Sequence, residues 1–241
     1  MNDRKKRKAA ALRLGLYLLG MLILSVSLTL STKATLGVSS IISVANCVSV
    51  LTGFSIGDTT LAWFGILIAI QIVLHCVKKA PGWKRTLVLD VLQLPLSIVF
   101  TRFMNLFAGR IPVFAEAYAG SFWGGVGGRL IVQMLSIVLT GIGAALTLDM
   151  RLIPNPGDGI VQAVADFFGR TTGAAKNLTD LVCVSLAAVI ALCFSGRTIG
   201  IGLGTVLAAL CTGRVLALFN RIFGERLKTL VPRQERADAA G

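Results

Sequence analysis

Long, continuously apolar runs dominate this chain and restrict it to very few folds. Six of them begin near Leu14, Leu61, Leu87, Leu130, Leu178 and Ile199, separated by short loops that carry Lys and Arg. About 20 apolar residues of helix cross the hydrocarbon core of a bilayer, so each run is long enough to span it. A helix on the surface of a soluble bundle needs a polar face, and these runs have none. The expectation is an all-α, polytopic membrane helix bundle whose first partner is the lipid bilayer. Almost no chain is left for a soluble domain, so any site must be built inside the membrane.

Composition supports this and redirects the meaning of the charge. Of 241 residues 55% are hydrophobic and only 15% charged, with a mean hydropathy of +0.80, against about a quarter charged in soluble domains. The net charge is +13. A basic excess can signal nucleic acid, but here the basic residues flank membrane runs with few aromatics among them. The positive-inside rule and anionic headgroups account for them, and no nucleic-acid partner is expected. The run from Leu14 to Leu30 follows the basic tail of Arg4 to Lys8. It is longer than a signal-peptide core and lacks a clear cleavage site, so it reads as an uncleaved first helix.

Two further segments are ambiguous. Gly37 to Leu51 is short and rich in Ser, and Gly159 to Phe168 is shorter and carries Asp166. If neither crosses there are six spans, and 18 basic residues lie inside against four outside; if both cross, the ratio falls to 15 against seven. The steeper asymmetry favours six spans with both termini in the cytoplasm of a bacterial cell, in its cytoplasmic membrane. The ambiguous segments then become re-entrant or broken helices. Irregular backbone at membrane depth is tolerated only where protein buries it or it lines a wet cavity, which is the physical reason to look there for a site.

The chain divides into one membrane domain with a basic tail (1–12), a first half (13–109), an outer loop (110–127), a second half (128–224) and a final tail (225–241). At a shift of about 116 residues Leu30, Leu36, Val48, Gly53 and Gly57 fall on Leu146, Leu152, Val164, Gly169 and Gly173. Three crossings per half would invert the second half, and inverted repeats with broken segments are a recurring transporter plan.

Candidate site residues cluster in the second half. Pro154-Asn155-Pro156-Gly157-Asp158-Gly159 stops one helix and turns the chain. Asp158 stands at a helix start, either as its N-cap or facing a wet cavity, where it would favour a cation or proton over an anion. Lys176 and Asp180 share a helix face at a spacing of four. Asp90, with Gln93 beside it, lies inside an apolar run, where an acid is costly unless paired or hydrated. Gly196, Gly200, Gly204, Ala208 and Thr212 recur every four residues as a packing ridge on the last span, and Gly202 and Thr205 could open carbonyls to a ligand. Arg102 and Arg214 are expected to snorkel toward the interface. The aromatics Tyr118, Phe122 and Trp123 belong at headgroup level.

Several of these motifs carry a resemblance. Pro156-Gly157-Asp158-Gly159, the pair Lys176 and Asp180, Gly202-x-Gly204-Thr205, Arg13-Leu14-Gly15-Leu16-Tyr17 and Leu36-Gly37-Val38-Ser39 resemble YczE/YitT-type bacterial membrane proteins over almost the whole chain. That family carries a Pro-x-Asp turn in its first half, where this chain has Ser40-Ile41-Ile42, and a basic residue where this chain has Gly157. The resemblance implies an integral membrane protein and little about its chemistry.

No enzyme is expected. There is no P-loop, dinucleotide fingerprint or zinc-protease motif, and His75 is the chain's one histidine, read as an interfacial residue. The five cysteines show neither metal nor redox spacing, so neither cofactor nor metal is expected. The leading expectation is a small permease or secondary transporter of a small solute or ion, with site residues Asp158, Asn155, Gly157, Asp180, Lys176, Gly202, Gly204, Thr205 and Asp90. The alternative is a non-transporting accessory protein for another membrane complex, and a homo-oligomer or membrane partner protein fits either.

Overall fold

The computed structural model describes residues 3–80, 82–150 and 152–228, and nine α-helices among them. Met1, Asn2, Pro81, Arg151 and residues 229–241 lie outside the described residues, as do the side chains of 3–9, Glu225, Arg226 and Lys228, so the basic side chains of the expected tails fall largely outside them. In chain order the helices are α1 (Asp3–Ala34), α2 (Ser40–Thr52), α3 (Ile56–Lys78), α4 (Trp83–Ala108), α5 (Phe114–Ala117), α6 (Val126–Asp149), α7 (Pro156–Phe168), α8 (Thr172–Ser195) and α9 (Leu203–Lys228). Six of them, α1, α3, α4, α6, α8 and α9, contain segments long and apolar enough to cross a membrane. The chain is a polytopic helical membrane protein.

The helix starts differ from the apolar runs for a local reason. The first turns of α3 and α8 are polar and begin at N-caps: Ser55 accepts from the Asp58 N–H and Thr171 from the Ala174 N–H. Those turns precede Leu61 and Leu178, so hydropathy alone misses them. The opposite happens at α9. Gly196 caps α8 at φ +68 and Gly200 sits at φ +69, so these two glycines end one helix and shape a loop rather than join a stripe on the last span. The packing ridge expected there is reduced to its α9 members.

The ambiguous segments are α2 and α7, each 13 residues long. At 1.5 Å per residue each rises about 20 Å, short of the ~30 Å hydrocarbon core. Neither crosses alone. A shift of 116 residues, the distance from Ser40 to Pro156, carries α2 onto α7 end for end. The same shift carries the left-handed C-cap Gly53 onto Gly169 and the N-cap Ser55 onto Thr171. Each half therefore runs long helix, half-helix, long helix, long helix.

Helices α1 and α6 pack antiparallel through the centre. The Ser27 hydroxyl donates to the Ser136 carbonyl and the Ser136 hydroxyl to the Ser27 carbonyl, both at 2.8 Å. Two turns away Gly20 and Gly143 press backbone to backbone; a β carbon on either would lie about 3 Å from the other's carbonyl oxygen. The 116-residue shift maps Gly20 to Ser136 and Ser27 to Gly143, so the two contacts are images of one another. Packing between elements follows the same exchange: α2 on α8 answers α7 on α3, and α1 on α4 answers α6 on α9. The largest departure from it is at α3 and α4. Helix α3 packs along α4, whereas α9 leans on α6 without comparable contact to α8.

Candidate functional site

The two half-helices lie in tandem along α3. Near its start the Trp63 indole donates to the Ile41 carbonyl, in the first turn of α2, at 2.7 Å. Two turns on, Gln71 Nε2 donates to the carbonyl of Pro156, the first residue of α7, at 3.1 Å. At the far end Lys78 Nζ donates to the Phe167 carbonyl at 3.0 Å. So the N-termini of α2 and α7 meet beside the middle of α3, and their C-termini point to its opposite ends. Gly157 is what lets them meet: a β carbon there would sit 3.0 Å from Ile41 Cγ1.

At this junction the N-cap of α7 is Asn155, not Asp158. Asn155 Oδ1 accepts from the Gly157 N–H at 3.0 Å, and its carbonyl accepts from the N–H groups of Asp158 and Gly159. Pro156 occupies the first helical position, where its missing N–H costs nothing. Asp158 is thereby freed from capping. Its carboxylate makes no hydrogen bond or ion pair among the described residues. Its side chain is exposed at the protein surface, close enough to Lys176 and Asp180 for their charges to act on it. Those two pair at 3.1 Å on α8, Lys176 largely exposed and Asp180 mostly covered. The junction thus combines two positive helix ends, two carboxylates and one ammonium.

Gly202, Gly204 and Thr205 work elsewhere. The Gly204 N–H donates to the Leu36 carbonyl at 2.7 Å and the Val38 N–H to the Gly200 carbonyl at 2.9 Å, pairing the α8–α9 loop with the α1–α2 loop. The Thr205 hydroxyl donates to the Gly200 carbonyl. These residues fix the chain's entry into α2, and their contacts are with Leu36, Gly37 and Gln133. Arg102 does not simply snorkel: it pairs with Asp58 at 3.0 Å, and Asn105 bridges Asp58 and the Gly57 N–H.

Asp90 belongs to a buried polar chain between α3 and α4. His75 Nδ1 meets Asp90 Oδ2 at 2.7 Å. Gln93 Nε2 is shared between Asp90 Oδ1 at 3.3 Å and Gln71 Oε1 at 3.0 Å. Gln71, Asp90 and Gln93 are at most 2% exposed, and Gln71 ends the chain on the Pro156 carbonyl. Gly159 has no side chain because its β carbon would collide with Gln71 Oε1. Gln71 and His75 were missed as functional residues in the sequence. Their signal is a spacing of four on α3, matched by Asp90 and Gln93 three apart on α4, which puts two short polar stripes on facing helices. Among the described residues no cluster could hold a metal ion.

The family of unknown function DUF6198 matches residues 11–221. The chain belongs to that family. No curated protein and no solved structure matches it significantly. The DUF6198 match spans both half-helices, the junction at Asp158 and the polar chain from His75 to Gln71.

Proposed function

We propose that this DUF6198 protein is a small permease, a secondary transporter of a small solute or ion, whose site is the junction of α2 and α7. The observation that carries the reading is a carboxylate free of capping, Asp158, where the N-termini of two oppositely directed half-helices meet. Broken helices meeting near mid-membrane between inverted repeats are a transporter plan, and the argument by plan is one of analogy. In this reading the halves are inverted copies. Lys78, Lys79, Lys84, Arg85 and Arg170 gather at the end of the bundle marked by the Lys78 bond to α7, which supports both termini lying in the cytoplasm of a bacterial cell. Kinship with YczE/YitT-type proteins is part of this reading, and of the motifs that carry it Pro156 to Gly159, Lys176 and Asp180 belong to the junction. Asp158, Asp180 and Lys176 bind the solute, Asn155 and Gly157 shape the turn, and no enzymatic step is involved.

The test is uptake by proteoliposomes offered a panel of radiolabelled amines, amino acids and organic acids. The reading expects at least one to accumulate under an ion gradient and Asp158→Asn to abolish that uptake at unchanged protein level. Uptake that survives Asp158→Asn removes the site.

One observation favours a second reading, an accessory protein for another membrane complex. Helix α9 lacks the packing on α8 that α4 has on α3, leaving Leu203, Val206, Leu210, Leu218 and Ile222 exposed. A co-purifying membrane protein lost on Leu210→Trp, with no solute moved, would establish it.

A further inference from the structure

We propose that His75 and Asp90 form a proton-binding site, and that Gln93 and Gln71 transmit its occupancy to the first turn of α7. The inference rests on the permease reading and adds to it the coupling ion, a proton.

A carboxylate buried in a span is costly unless paired, and the ionisable side chain that pairs with Asp90 among the described residues is the imidazole of His75. With Asp90 ionised, the His75 Nδ1–H donates to Oδ2, and the other ring nitrogen remains to take up a proton. The balance is simple. His75 neutral and Asp90 ionised leave the pair at −1; one proton from water makes it an imidazolium–carboxylate pair of zero net charge. Access exists. His75 lines a cavity of about 100 Å³ at the α3–α4 loop with Lys78, Trp83, Thr86, Asp166 and Phe167. The charged groups facing the pair are therefore Lys78 on α3 and Asp166 on α7. Asp166 accepts from Gln162 Nε2, and of the α1 residues that share a cavity with Gln93 (Tyr17, Met21 and Leu24) Tyr17 is the titratable one.

Transmission has a physical element. Gln93 Nε2 is divided between Asp90 and Gln71, while Gln93 Oε1 is buried without a hydrogen-bond partner among the described residues. A buried orphan oxygen is costly, so this amide has a reason to turn when the charge beside it changes. Gln71 is the next member, bonded to the Pro156 carbonyl two residues before Asp158. Proton loading at one end of the chain thus reaches the turn that carries the solute site.

His75 is the chain's one histidine, so full-length protein labelled with ¹⁵N in histidine and purified without a polyhistidine tag gives one imidazole to follow by NMR. Across pH 4 to 9 it is expected to change protonation state, and Asp90→Asn is expected to shift where it does so. In a background without native cysteines, alkylation of Asp158→Cys by a neutral maleimide, relative to Phe122→Cys in the outer loop, reads α7. That ratio is expected to change at least threefold across the same pH range, and His75→Gln or Gln71→Leu is expected to flatten it. An imidazole that keeps one protonation state from pH 4 to 9 overturns the site, and needs no variant to fold. A titrating imidazole with a flat alkylation ratio overturns the transmission. A silent His75 in a protein that still moves solute through Asp158 leaves the permease reading standing. A titrating, transmitting His75 in a protein that moves no solute removes that reading and keeps the proton site.

Discussion

Ile41 and Gly157 touch where the first turns of α2 and α7 meet, so close that a β carbon on Gly157 would lie 3.0 Å from Ile41 Cγ1. This contact joins two half-helices that are 116 residues apart in sequence and related by the repeat. It also explains why the second half carries Gly at 157: a larger side chain would push the helix ends apart.

Capping and solute binding are assigned to different residues of one turn, and they separate by mutation. Asn155→Ala removes the N-cap and is expected to lower stability by about 1 kcal/mol. Asp158→Asn removes no hydrogen bond and is expected to change the melting temperature in detergent by less than Asn155→Ala does. The reverse order of effects would return Asp158 to a capping role.

Gly159 packs its backbone against the buried amides of Gln71 and Gln93. Gly159→Ala is expected to destabilise the protein by about 1–3 kcal/mol through overpacking. Gly173→Ala is the control: it also lies in the first turn of a helix, with open space where the β carbon would go, and is expected to change stability by no more than about 0.5 kcal/mol. Thermal unfolding of the two variants in the same detergent makes the comparison.

Gly37 and Gly53 both have positive φ, +116 and +76, but only Gly37 is enclosed. A β carbon there would lie 2.7 Å from Thr205 Oγ1 and 2.8 Å from the Gly202 nitrogen, whereas Gly53 faces open space. Gly53→Ala is expected to cost about 1 kcal/mol of backbone strain. Gly37→Ala adds a collision that breaks the pairing of the α1–α2 and α8–α9 loops and is expected to cost more, read as a larger drop in melting temperature.

The reciprocal bonds of Ser27 and Ser136 tie the two halves together. Because each hydroxyl donates to a backbone carbonyl that the partner's alanine variant keeps, Ser27→Ala and Ser136→Ala each remove one bond and are each expected to cost about 0.6 kcal/mol, the average for interhelical hydrogen bonds in membrane bundles, with additive effects in the double variant. No loss of stability in either variant, read by thermal unfolding in detergent, would mean that the α1–α6 seam is held by the small-residue contact of Gly20 and Gly143 instead.

The six long helices were legible because hydropathy over 20 residues is a strong, local signal, and the half-helices because α2 and α7 are too short to cross. The shift of 116 residues was legible at Gly53 and Gly169, which share one left-handed backbone conformation that favours glycine. What sequence could not give was pairing at a distance. Nothing local shows that Gly202 and Gly204 serve the backbone at Leu36 and Gly37, or that His75 turns inward to Asp90 rather than to the interface. Asp158 looked like a cap because Asp caps helices well; that Asn155 does so is decided by where Pro156 begins the helix.

The central claim is that α2 and α7 enter from opposite faces and meet at a hydrated junction. Single cysteines at Phe54, Phe168 and Asp158 in a background without native cysteines test it, with membrane-impermeant and small permeant thiol reagents applied from each side of the membrane. The account predicts labelling of Phe54→Cys from one face only, of Phe168→Cys from the other face only, and of Asp158→Cys by small aqueous reagents. Phe54→Cys and Phe168→Cys labelled from the same face, or an Asp158→Cys that no aqueous reagent reaches, would contradict it.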